Sequence, residues 1–116
     1  MAGEAAGEAV VVTLPEEIDL NNSSAVWDDL FARLTGPALV IADMSGTIFC
    51  DSTGMRMLVV VRNRAEFTGA TLRIVIRPSG ALARSLAIVG FDRVLPIYHS
   101  VQDALGAQPD GARPAP

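Results

Sequence analysis

Between Asp43 and Gly54 the chain places two carboxylates and a series of hydroxyls: Asp43, Ser45, Asp51, Ser52 and Thr53. A serine nucleophile would need a histidine base, and the only histidine is His99, far along the chain. Ser52 is not in a Gly-x-Ser-x-Gly elbow, since Cys50 and Gly54 flank it. Asp43 and Asp51 could imitate the acids of a phosphoaspartate relay, but such a site pairs its phosphoryl group with a lysine, and the chain has none. The same absence removes a Gly-Lys-Ser/Thr phosphate loop. One cysteine and one histidine do not make a usual zinc site. No cofactor or metal is expected. Cys50, near a helix start, could be a redox thiol, yet the alternation of Ile48 and Cys50 about Phe49 favours a packed small apolar residue. Ser52 remains, as a hydroxyl that either caps a helix or accepts a phosphate, and the residues alone weigh these evenly.

The flanking segments say how Ser52 is held. Leu39, Val40, Ile41 and Ala42 form a short apolar run, rich in β-branched residues, that suits a buried strand ending at Asp43. Met57 to Val61 is a second apolar run that continues through Arg62, Asn63, Arg64 and Ala65, a length that suits a helix. Asp51, Ser52 and Thr53 are N-cap types at its start. The order strand, loop, helix sets hydroxyls at a positive helix end, where an anion is tolerated.

The 116 residues imply one domain with a core of its own. Half the residues are hydrophobic and 5% aromatic, so that core is aliphatic. A single cysteine excludes an internal disulfide and fits a reducing compartment. No apolar stretch reaches the 18 or so residues of a membrane span, and the N-terminus lacks a basic-then-apolar signal pattern. A cytoplasmic protein with no membrane insertion is expected. The net charge of −4 argues against a nucleic-acid partner. Arg56, Arg62 and Arg64 group on one predicted helix, as a solvated face or a binding patch.

Along the chain, residues 1–8 read as a disordered tail, residues 9–106 as the domain and residues 107–116 as a flexible tail. Ala9 to Leu14 reads as a strand, Pro15 to Asp19 as an acidic loop, and Asn21, Asn22 and Ser23 as caps of a helix running to about Leu34. Trp27 falls on that helix's apolar stripe and is expected in the core. On the central helix Gly54, Met57, Leu58, Val61 and Ala65 should face the sheet, with Met55, Arg56, Val59, Arg62 and Asn63 toward the sides or outside. Thr71 to Ile76 is a further strand, followed by a helix opening at Pro78 and Ser79 with Leu82, Leu86 and Val89 inward. Val94 to Ile97 reads as a short edge strand containing Pro96, and Ser100 as the cap of a last short helix. Alternating strands and helices imply an α/β fold, with functional loops at the carboxyl ends of the strands.

The pattern Asp43-x-Ser45-x-x-x-Phe49-x-Asp51-Ser52-Thr53-Gly54 resembles the core of a STAS domain of the anti-sigma-factor antagonist type. The likeness runs over roughly Val10 to Leu105, and Val89 to Tyr98 is similar to the family's last strand region. The resemblance implies a single STAS-type domain, a mostly parallel four- to five-stranded sheet with helices packed on it. Family members commonly begin with an extra N-terminal strand, which here would be short or absent. In the family the residue matching Ser52 is phosphorylated by a partner kinase, and Thr53 is the second candidate. An acidic residue near Asp19 is also usual. The implied role is a binding module, not an enzyme. Its unphosphorylated form sequesters an anti-sigma factor that is itself a serine kinase, releasing a sigma factor for transcription, and a serine phosphatase resets Ser52. The expected partner surface comprises Asp19, Asp43, Asp51, Ser52, Thr53, Gly54, Met55, Arg56, Val59 and Arg62. The alternative is a STAS module of another assembly, such as the cytoplasmic subunit of a membrane transporter or a stress-signalling complex.

Overall fold

In chain order, the computed structural model, which describes residues 9–107, contains β1 (Ala9–Thr13), β2 (Glu17–Ile18), α1 (Ser23–Phe31), β3 (Leu39–Asp43), β4 (Phe49–Cys50), α2 (Ser52–Thr68), β5 (Thr71–Val75), α3 (Ala81–Val89), β6 (Ile97–Tyr98) and α4 (Val101–Gly106). Four strands form a parallel sheet in the order β1-β3-β5-β6. Parallel neighbours need crossovers, which is why helices separate them in the chain. Val40 stands beside Val10 and Leu72, and Ala42 beside Val12 and Ile74. These residues line the main face and pack with Val26 and Leu30 of α1 and Leu58, Val61 and Ala65 of α2. Burial on both faces explains why β3 reads as a continuous apolar run.

The other face carries a smaller cluster of Ile41, Val75 and Ala104, flanked by Leu39, Tyr98 and Val101. Arg73 stands in register with Ile41 and is only 4% exposed. Its Nη1 donates to the carbonyl of Ala104 at 2.7 Å and reaches that of Ala107 at 3.5 Å, and its guanidinium lies 5.6 Å from the Tyr98 ring. A cation thus meets the carbonyl end of α4, where the helix dipole is negative.

Several boundaries differ from expectation. The acidic loop contains β2, which pairs in parallel with β4 as Glu17 beside Phe49 and Ile18 beside Cys50. The sequence reading had neither strand, because two-residue strands carry no periodicity. α1 stops at Phe31, although Leu34 beyond it is buried. The last strand is Ile97–Tyr98, preceded by a 3-10 turn at Phe91–Arg93 that leaves Val94 exposed. Pro96 donates nothing, but its carbonyl accepts from the Ile74 N–H at 2.9 Å, and β6 is at the sheet edge as expected. Leu82 and Leu86 face inward on α3, whereas Val89, in its last turn, is exposed. Gly90 ends α3 in the left-handed conformation (φ 83°) that a side chain would resist. No described helix is long and apolar enough to cross a membrane. The tail at 1–8, the question of an N-terminal edge strand, and all of the C-terminal tail except Ala107 lie outside the described residues.

Candidate functional site

The site is built from the β3–α2 segment against the β1–α1 segment. Asp43 closes β3, and its Oδ1 accepts from the Ser45 N–H at 3.0 Å, turning the chain away from the sheet. Thr47, buried, donates its hydroxyl to the Pro15 carbonyl at 2.8 Å. The N–H groups of Ile48 and Phe49 donate to Glu16, and that of Asp51 donates to Ile18 at 3.0 Å. These bonds tie the loop to β2 and fix where α2 begins. On the facing segment, Asp19 organises the turn into α1. Its Oδ1 accepts from the Asn21 N–H, and its carbonyl accepts from the N–H groups of Asn22 and Ser23. Asn22 accepts from the Asp19 N–H and donates to the Glu17 carbonyl, so it braces this turn and does not cap α1.

Three residues were candidates for the cap of α2, and Asp51 is the one that takes the role. Its backbone is extended and its Oδ1 accepts from the Gly54 N–H at 2.9 Å. Ser52 is the first helical residue, exposed, and its hydroxyl makes no hydrogen bond to any described residue. Thr53 is half-buried beside Ser23, Ser24 and Trp27. Asp51→Ala should therefore cost about 0.5–2 kcal/mol of stability, while Ser52→Ala costs less than about 0.5 kcal/mol, as an exposed surface change. Urea denaturation of both variants checks the assignment; the reverse ranking would return the cap to Ser52.

Gly54 is where α2 comes closest to the β2–β4 pair. A Cβ there would lie 2.7 Å from Cys50 Sγ and 2.8 Å from Ile18 Cγ2. Gly54→Ala is expected to destabilise by about 1–3 kcal/mol through overpacking, against the roughly 1 kcal/mol that alanine gains over glycine in a helix. Adding Cys50→Ala should recover part of the loss, which thermal melts of the single and double variants would show.

Cys50 is buried and free. Burial first, and the neighbouring Asp51 carboxylate second, push its thiol up to about 12. This is a packed thiol, held in its protonated form. It should resist a disulfide probe at pH 8 in the native state and react at once in urea. The unfolded thiol loses its proton near pH 8.5 and the folded one only near 12. Stability from this group is complete below the first value and is lost as pH rises toward the second.

Asp19, Asp51, Ser52, Thr53 and Gly54 are thus brought to one end of the molecule, with Asp43 at the base of the loop. Arg56 is exposed and Val59 half-buried on α2. Met55 is not on the outside: it is 5% exposed and belongs to the main core. The β2–β4 pair covers the first turn of α2 at Gly54. Arg62 is ten residues along α2 from Ser52, about 15 Å by helical rise. It pairs with Glu66 at 3.3 Å and lines a hollow with the Asp92 to Tyr98 segment. The sequence reading missed three large apolar side chains exposed at this end, Leu20 and Ile48 on loops and Phe49 in β4. The signal was there, since apolar residues in polar turns have no core to enter.

A family model described as the STAS domain matches residues 3–104. The anti-sigma-F factor antagonist RsfA of Mycobacterium tuberculosis is 29% identical over 85% of this chain and 79% of its own length. A second protein of that organism, named as a candidate anti-anti-sigma factor, is 32% identical over 89% of this chain and 71% of its own. Among solved structures, an anti-sigma factor antagonist from Mycobacterium paratuberculosis superposes with a TM-score of 0.72 at 26% identity, covering 84% of this chain and 82% of that one.

Proposed function

Because the chain belongs to the STAS domain family, we propose that it is an anti-sigma factor antagonist switched by phosphorylation of Ser52. The names of its relatives supply the partner class. The observation that carries the switch is the division of labour at the start of α2: Asp51 satisfies the helix end, and the Ser52 hydroxyl is exposed and uncommitted. A hydroxyl with no structural duty can be modified without unfolding the domain.

The chain acts as a binding module, without a catalytic step of its own. Its unphosphorylated form occupies an anti-sigma factor that is also a serine kinase, and the sigma factor is released. The kinase brings its own nucleotide and metal. Phosphorylation adds about −1.5 to −2 charge beside Asp51. The helix end accepts that charge, so its cost falls on the docked partner surface, and a serine phosphatase reverses it. Asp19, Asp43, Thr53, Gly54, Arg56 and Val59 surround Ser52 in this surface or support it from beneath. Met55 contributes by packing the first turn, and Arg62 stands at the far margin.

The test incubates wild type and Ser52→Ala with the co-purifying kinase and ATP, then reads intact mass. Wild type should gain one phosphate and Ser52→Ala none. Equal modification of both, or none of wild type, would sink the switch. Retrieval of membrane transport subunits in place of a small kinase would move the module to another assembly.

A further inference from the structure

We infer that the furrow between α1 and α2 is a docking groove for an amphipathic helix of the same anti-sigma factor, which rests on the antagonist reading of Ser52. Along α2, Thr53, Met57, Val60, Arg64 and Phe67 recur at intervals of four and three, which sets them on one side of the helix. α1 meets that side with Ser24, Trp27 and Phe31. Ser23, Ser24, Trp27, Thr53, Met57 and Val60 line an open hollow of about 230 Å³. That is below the roughly 300–1,000 Å³ of small-molecule pockets, and it suits side chains of a macromolecule. Trp27, expected in the core, is half-buried and stacks on Phe31 with ring centroids 5.2 Å apart. The Arg64 guanidinium lies 5.1 Å over Phe31 and 5.9 Å from Phe67, joining the two helices at the far end of the hollow. Val60 is 50% and Phe67 83% exposed. From Thr53 to Val60 the helical rise is about 10 Å, the length of some two turns of a helix laid alongside. Trp, Met and Arg are the residue types enriched where helices dock in grooves and in interface cores.

Charge selects the occupant. Asp28 is exposed, one position from Trp27 and three before Phe31, and Arg56 is exposed, three after Thr53 and four before Val60. Neither makes an ion pair with any described residue. The two rims therefore carry opposite charges with no compensation of their own. They complement a helix whose apolar stripe is flanked by a base on one side and an acid on the other. The groove starts at Thr53, next to Ser52. A kinase that reaches the Ser52 Oγ must bring its surface to this end, so one partner spans both.

Titration calorimetry of the purified anti-sigma factor against full-length wild type, Val60→Glu, Asp28→Arg and Arg56→Glu tests the groove, with sedimentation and thermal melts of each free chain. Val60→Glu should weaken binding at least 30-fold and each charge reversal about 5- to 10-fold, in folded monomers. Asp28→Arg is the discriminating variant, because it changes the wall that does not carry Ser52. If Val60→Glu lowers the melting temperature, the two surface reversals decide alone. Wild type binding with every variant within twofold of it overturns the groove and leaves the antagonist reading intact. No binding by wild type overturns that reading and the groove with it. Self-association of wild type that Val60→Glu abolishes, with unchanged affinity for the anti-sigma factor, gives the groove to a second copy and overturns the proposal.

Discussion

Ser52→Asp should fold like wild type and bind the anti-sigma factor between about 30-fold and several thousand-fold more weakly. A carboxylate suits the first turn of a helix, and Ser52 is exposed with no bond to lose, so the fold has no reason to object. An uncompensated charge brought into a docked surface costs roughly 2–5 kcal/mol, and each 1.4 kcal/mol is about tenfold in affinity. Aspartate carries less charge than phosphate, which places the effect toward the lower end. Ser52→Ala removes the acceptor without adding charge and should bind like wild type, as a permanently active antagonist. Equal affinity of wild type and Ser52→Asp, measured by calorimetry at fixed salt, would leave phosphorylation without the role given to it.

Arg73→Met should lower the stability of the whole domain by about 2–3 kcal/mol, the scale of a hydrogen bond to a charged group. Methionine keeps most of the volume on that face of the sheet, but the Ala104 carbonyl loses its donor and the Tyr98 ring its cation. The loss should concentrate in α4, so amide exchange at Ala104 should speed up before that of β3 and β5. Arg73→Lys should recover only part, since a compact ammonium lacks the planar guanidinium that lies by the Tyr98 ring. An unchanged melting temperature, with unchanged exchange in α4, would show that Arg73 does not anchor the helix. Because α4 lies on the face away from α1 and α2, partner affinity per folded molecule should stay the same.

The order of elements was legible because its causes are local. An apolar run of four residues, rich in β-branched types, followed after a polar loop by an apolar run of helical length says strand then helix whatever surrounds it, and the structure holds β3 and α2 there. Gly69 and Gly90 end α2 and α3 for a reason internal to one residue, since both adopt positive φ. The chemistry around Ser52 was legible for the same reason. The types Asp51, Ser52 and Thr53 announce a helix start, and the pattern about them carried the family resemblance.

What the residues alone left open was decided by contacts between distant segments. Any of three side chains could have capped α2. Asp51 does, because its N–H is pinned to Ile18 and its carboxylate is thereby aimed at Gly54. Met55 lies where a helical wheel drawn against one sheet shows an outer position, yet it is buried in the main core, which segments distant in the chain complete. Arg73 interrupts the aliphatic run of β5. It is buried because the carbonyl end of α4, some thirty residues later, arrives opposite it with acceptors that need a donor. Periodicity and capping act within a few residues and are written in the sequence. Which face is covered, and which polar group finds its partner, depends on where the chain returns, and only the tertiary structure decides that.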